Sequence, residues 1–201
     1  MSVKDIVQKG WNKIGKIYDE HRIKDKIDQE LQEFVDLLPK EAKILDAGSG
    51  SGDPASKYLD KAGLKVTGID ISDTMLEMAK KNVPNADFIK KDILELDFKD
   101  ETFDGVISVF TLFHIPKERH KDVFQNFYRV LKQGGIMLIN TGISESEGVS
   151  RFFGVPMYWS NNPPEITLNY VKEVGFSILF EGVLVRGGEY QYWIFAKKNN
   201  R

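Results

Sequence analysis

The chain has 201 residues, 28 basic and 30 acidic side chains and a formal net charge of −2, the size of one domain able to bury a sizeable core. With no cysteine it lacks disulfides, thiolate metal sites and cysteine nucleophiles, and its three histidines (His21, His114 and His120) supply a metal site poorly. Near-neutral charge argues against a nucleic-acid binder, and the longest nearly apolar run, 105–113, is too short for a membrane span.

The opening residues, Met1 to Asp5, carry no signal-peptide run, so a soluble, cytoplasmic protein with no membrane partner is expected. Residues 1–40 read as a helical cap, with Trp11 and Tyr18 early in it and Ile27, Leu31, Phe34, Val35 and Leu38 at helical spacing. A strand over 43–47 leads into Gly48-Ser49-Gly50-Ser51-Gly52. Asp53-Pro54 then predicts an oxygen cap with proline at the first helical position.

Short strands at 65–69, 86–90, 103–109 and 136–141 alternate with helices. Several are apolar on successive residues, as strands covered on both faces are, which predicts a parallel sheet. Ser72 caps a helix running to Lys81. Another runs from Pro116 to Leu131, stopped by Gly134-Gly135, with His120 on its solvated side. Residues 142–165 read as a long lid loop rich in aromatic residues, among them Phe152, Phe153, Tyr158 and Trp159. Asn162 is expected to cap the next helix, which opens near Pro163. Strands 176–185 and 189–196 are joined only by Arg186-Gly187-Gly188, a link short enough for an antiparallel hairpin and too short for a parallel crossover.

Gly48 and Gly50 let the backbone approach a ligand, and the helix after Asp53 offers free N–H groups. Asp70 ends the next strand, where a carboxylate can accept both hydroxyls of a ribose. The spacing is G-x-G-x-G, not the dinucleotide G-x-G-x-x-G. Asp46 stands where a carboxylate would crowd a pyrophosphate but suit a cationic amino group. Both details point away from a nicotinamide cofactor.

Leu45 to Gly52, followed by Val66 to Leu76, Asp87 to Asp92, Phe103 to Ile107 and Leu131 to Gly135, resembles the class I S-adenosylmethionine-dependent methyltransferases in content and order. The resemblance covers residues 40–141 and implies a three-layer, Rossmann-like α/β fold. Its seven-stranded, mostly parallel sheet would carry the antiparallel C-terminal hairpin and the N-terminal helical cap. One domain is expected, divided into the cap (1–40), a cofactor-binding core (41–141), the lid loop (142–165) and a C-terminal helix and hairpin (166–201).

The family further implies an enzyme that takes S-adenosyl-L-methionine as cofactor. Carried over by position, Gly48, Ser49 and Gly50 line its methionine portion, with Asp46 near the amino group. Asp70 holds the ribose, Ile71 and Met75 lie against the adenine, and Asp92 meets the adenine amino group beside Ile93. Phe110 lies near the reacting end and Tyr18 closes over the cofactor. His114, past the fourth strand, is the candidate catalytic residue, with a packing role at the next helix as its alternative. Trp11, Phe152, Tyr158 and Trp159 are the candidate substrate contacts.

A metal-independent transfer to a small-molecule acceptor is the leading expectation. A protein or RNA methyltransferase and an inactive cofactor-binding module are its rivals, and either a monomer or a homodimer fits. Asn162-Pro163-Pro164 resembles part of the motif of amino-group methyltransferases, but in those it follows the fourth strand, where this chain has Phe110-Thr111-Leu112-Phe113.

Overall fold

The computed structural model describes residues 1–21, 27–186 and 188–200, so part of the cap (22–26) and Gly187 of the hairpin turn lie outside the described residues. Two helices open the chain, α1 (Val3–His21) and α2 (Asp28–Asp36). Then come β1 (Lys43–Ala47), α3 (Ala55–Lys61), β2 (Lys65–Asp70), α4 (Asp73–Asn82), β3 (Asp87–Lys90) and β4 (Phe103–Ser108). The second half holds α5 (His120–Val130), β5 (Leu131–Thr141), β6 (Ser146–Phe152), β7 (Val155–Asn161), α6 (Pro164–Val174), β8 (Phe176–Arg186) and β9 (Glu189–Lys198).

Seven strands form one sheet in the order β3-β2-β1-β4-β5-β9-β8, parallel up to β5 and antiparallel from there through β9 and β8. The successive apolar residues of its inner strands are divided between two cores. Leu45, Val106, Met137 and Ile194 pack on the face covered by α5 and α6. Their neighbours Ile44, Ile107, Leu138 and Trp193 pack on the other face with Phe34 and Leu59. That is the three-layer α/β fold expected.

The chain leaves β1 toward β2 and β3, then returns to place β4 on the other side of β1. A reversal of this kind opens a crevice at the carboxyl ends of the strands, where ligands of open α/β sheets bind. Helix α1 lies across that crevice. It docks closely on β7 at Gly10, where a Cβ would stand 2.7 Å from the Met157 methyl. On its other side the Ser72 hydroxyl, which accepts from Met75 N at the start of α4, donates to Asn12 Oδ1 at 2.8 Å. Among the described residues no helix is long and apolar enough to cross a membrane.

Several local expectations change. Pro54, not Asp53, precedes α3, and the Asp53 carboxylate accepts from Lys57 Nζ at 2.9 Å instead of capping. The segment 117–119 is a tight 3₁₀ turn, and α5 begins only at His120. It ends at Val130 because Leu131 is extended and already paired with Phe103, so Gly134 and Gly135 lie inside β5 and stop no helix. His120 is fully buried, since the turn before it presents two carbonyls to its ring. Asn162 does not cap α6; its amide donates to Lys117 O at 2.9 Å.

Within 142–165 lies a two-stranded antiparallel hairpin, β6–β7, and not an open loop. Phe152 faces Val155, so the turn is Phe153-Gly154, with φ of 48° and 79°. Two central residues at positive φ suit the right-handed twist of a hairpin, but the usual sequence is Asn-Gly or Asp-Gly. Phe-Gly hides the turn from sequence reading.

Candidate active site

At the carboxyl ends of β1, β2 and β4, beneath α1, is a cavity of about 330 Å³, within the range of small-molecule and cofactor sites. Its floor is the glycine loop. Gly48 and Ser49 donate their N–H groups to Ile69 O at 2.8 and 2.9 Å, tying the loop to β2. Gly48 has φ +85°, and a Cβ there would collide with the Thr111 side chain, whose hydroxyl donates to Gly48 O at 3.2 Å. Only glycine fits that contact. Ser49 Oγ is buried with no partner among the described residues.

Asp70 is anchored by two backbone N–H groups, Gly50 N at 3.0 Å and Ser72 N at 2.8 Å. Burial raises its pKa, while these bonds pull it down. Asp46 is buried on β1 and accepts from Ser56 Oγ at 2.5 Å. Burial, opposed by the Ser56 bond and reinforced by the charge of Asp70, pushes its carboxyl up to about 7. No cationic side chain pairs with either acid among the described residues. A buried and a half-buried acid facing one cavity suit a ligand that brings positive charge and hydroxyl donors.

Ile71, Met75 and Ile93 form an apolar slot at one end of the cavity. Beside it Asp92 accepts from Leu94 N at 2.9 Å and pairs with Lys4 Nζ at 2.8 Å. Lys4 and Asp19 both line the cavity, and Asp19 accepts from Ser51 Oγ at 2.6 Å. Neither was singled out from the sequence. The usable signal was spacing, because Lys4, Val7, Trp11 and Tyr18 fall on one helical face and all line the cavity.

Phe110 lines the opposite end with φ +57°, an uncommon conformation for an aromatic residue. Buried Asn140 holds it there, accepting from Phe110 N at 2.7 Å. His114 follows in a 3₁₀ turn, Leu112–His114, and is buried. Its Nδ1 lies 2.9 Å from Tyr158 O. A carbonyl only accepts, so Nδ1 carries the hydrogen and Nε2 a free lone pair. Nε2 has no partner among the described residues, and burial lowers the ring's pKa to about 4, so the imidazole is neutral.

Tyr18 and Trp11 cover the cavity from α1, their rings 5.0 Å apart in a T-shaped contact. Phe152, Tyr158 and Trp159 stand behind this wall and not on the cavity surface. Phe152 packs on Trp11 at 6.1 Å and Trp159 on His114 at 4.7 Å. The Tyr158 hydroxyl turns away to donate to Glu147 at 2.8 Å. His21 is exposed on α1, its ring 6.4 Å from that of Phe153.

Residues 44–135 match the family described as a methyltransferase domain. The chain is 37% identical over 133 residues to a demethylmenaquinone methyltransferase of Chlorobaculum tepidum, covering 66% of this chain and 54% of that protein. It is 29% identical over 141 residues to the sterol 24-C-methyltransferase of Saccharomyces cerevisiae, covering 67% of this chain and 34% of that one. The chain thus spans about half or less of the length of these curated relatives. Among solved structures, an S-adenosylmethionine-dependent methyltransferase of Methanosarcina mazei superposes with a TM-score of 0.73 at 22% identity, over 83% of this chain and 96% of that one. Residues 44–135 thus match a methyltransferase domain, and the sheet that surrounds them has the fold of the solved S-adenosylmethionine-dependent enzyme.

Proposed function

We propose that this chain catalyses methyl transfer from S-adenosylmethionine to a small, uncharged and largely apolar acceptor bearing a hydroxyl, without a metal. The observation that carries this reading is the neutral, partnerless Nε2 of His114, buried at a cavity that also holds the carboxylates of Asp46 and Asp70. The names of the relatives, a demethylmenaquinone and a sterol methyltransferase, support an apolar small molecule.

Bound S-adenosylmethionine supplies a sulfonium methyl group, an electrophile that needs no further activation. Asp46 would face its amino group, Asp70 its ribose hydroxyls and Asp92 its adenine amino group, with Ile71, Met75 and Ile93 against the ring. Trp11 and Tyr18 exclude water, and a dry, oriented site lowers the barrier through positioning. His114 Nε2 accepts a hydrogen bond from the acceptor's hydroxyl and orients it toward the methyl group, its own Nδ1–H held by Tyr158 O. The hydroxyl proton passes to solvent as the sulfonium becomes a neutral thioether. Acids ring the site: Asp19, Asp46, Asp53 and Asp70 all line it, with Asp53 paired to Lys57, while Lys4 pairs with Asp92 and Lys91 with Asp97. An anionic acceptor would meet repulsion there.

Thermal denaturation with S-adenosylmethionine, S-adenosylhomocysteine and NAD in parallel tests the cofactor. At a hundredfold excess over Kd the adenosyl ligands should add about 2.7 kcal/mol, a shift of roughly 5–10 °C. A shift with NAD alone would refute the reading. Release of S-adenosylhomocysteine is then followed with uncharged apolar phenols, RNA and proteins. Turnover only with RNA or protein would overturn the acceptor class, and binding with no turnover in any arm would leave a cofactor-binding module.

A further inference from the structure

A second buried histidine stands six residues beyond His114. His120 Nε2 lies 3.0 Å from Leu112 O and 3.1 Å from Ile115 O, the two carbonyls that bracket the turn carrying His114. Both carbonyls accept, so this nitrogen carries the hydrogen and Nδ1 carries the lone pair. Asn162 Nδ2 faces that lone pair at 3.4 Å while also donating to Lys117 O at 2.9 Å. Lys117 N in turn donates to the buried Ser160 hydroxyl at 2.8 Å. The turn and the end of β7 are therefore stitched together through His114 to Tyr158, Lys117 to Ser160 and Asn162 to Lys117 and His120.

The geometry points to His120 and Asn162 as positioning residues that hold the Leu112–His114 turn against the end of β7, so that His114 Nδ1–H meets Tyr158 O and the Nε2 lone pair stays at the cavity. The hydrogen bonds have one consistent direction. Asn162 donates to His120, His120 donates to the turn, and His114 donates to Tyr158. Reversing the His120 tautomer would set its lone pair against two carbonyls and its Nδ1–H against the Asn162 amide. Turning that amide over would strip Lys117 O of its donor. Each buried mismatch disfavours the reversed state by about tenfold or more. The two neutral histidines are thus opposite tautomers, His114 protonated at Nδ1 and His120 at Nε2. What the His114 lone pair does rests on the methyl-transfer reading; which nitrogens carry hydrogens does not.

Nitrogen-15 NMR of the full chain, labelled at histidine, tests this directly, because there are only three histidine rings to assign. Near neutral pH, His114 and His120 should each show one tautomer, of opposite kind. His120→Leu removes the donor and should spread His114 over both tautomers, a loss of about tenfold in their ratio. His120→Gln keeps a donor near the Nε2 position and should restore it. Asn162→Asp can only accept, and should draw a proton onto His120 Nδ1. Neither residue lines the cavity, so S-adenosylmethionine affinity should stay within about twofold.

Wild-type His120 protonated at Nδ1, wild-type His114 protonated at Nε2, or an unchanged His114 signature in His120→Leu would each overturn the inference. Should His120→Leu fail to fold, the wild-type spectrum and Asn162→Asp decide. Loss of the methyl-transfer reading would register separately, as no response of the wild-type protein to S-adenosylmethionine.

Discussion

On the floor of the cavity, buried Asp46 and half-buried Asp70 are acids held by a serine hydroxyl and backbone N–H groups. The cap above them is a cluster of rings, with Trp11 at 5.0, 5.5 and 6.1 Å from Tyr18, His114 and Phe152. The floor carries an electrostatic deficit that a cationic ligand relieves, whereas the cap satisfies itself by packing. Variants of the floor should therefore act mainly on cofactor affinity, and variants of the cap mainly on stability and closure.

The largest effect is expected for Asp70→Ala. Hydrogen bonds to a charged acceptor contribute about 1.5–3 kcal/mol each, so losing two should weaken S-adenosylmethionine binding by at least a hundredfold in a calorimetric titration. An unchanged Kd would show that the ribose lies elsewhere and would break the contrast between floor and cap.

Asp46→Asn sharpens the contrast by separating stability from binding. The folded carboxyl titrates at about 7 against an ordinary 3.8. Between those values the folded protein holds a proton that the unfolded chain has released. The stability linked to this group is therefore full below the unfolded value and is lost as pH rises toward 7. Without ligand, Asp46→Asn should exceed the wild type at about pH 8 by up to ~4 kcal/mol, a gain that shrinks to nothing near pH 4. The same variant should bind S-adenosylmethionine more weakly. Chemical denaturation across pH, beside titrations, checks both halves; an Asn variant less stable at high pH would overturn the account of the floor.

Trp11→Ala tests the cap. Losing a half-buried ring with three aromatic neighbours should cost about 2 kcal/mol in a denaturant melt. Cofactor Kd should move by less than about tenfold. A drop in affinity matching that of Asp70→Ala would mean that the cap, too, is chiefly a cofactor site. The smallest effect belongs to Lys4→Met. The Lys4–Asp92 pair is half exposed on the lysine side, so its loss should change stability by at most about 0.5 kcal/mol. A larger, salt-sensitive loss in the same melt would make the N-terminal turn of α1 a true clasp.

The elements that the sequence places where the structure has them answer to local rules. The linker between 176–185 and 189–196 is too short for anything but a hairpin, and β8 and β9 form one. Gly48, Asp70 and the doubly apolar strands likewise mark backbone conformation or burial within a few residues. Lys4 and Asp19 escaped notice because a charged residue on an amphipathic helix reads as solvated until the helix's covered face is known. His120 and Asn162 were misread for a related reason. A histidine on a helix and an asparagine before Pro-Pro both have common surface roles, and only carbonyls brought in from other segments make them buried donors.

By itself, then, the sequence determined the α/β layering, the antiparallel end of the sheet and the cofactor class, because strand periodicity, connection length and glycine spacing act over short stretches of chain. Tertiary structure decided the rest: that the lid is a hairpin, that Phe152 and Trp159 stand behind the wall, and that His114 holds its hydrogen on Nδ1. A ring's tautomer depends on which carbonyl it meets, and Tyr158 reaches His114 from 44 residues away. No window of sequence contains both the ring and the oxygen that orders it.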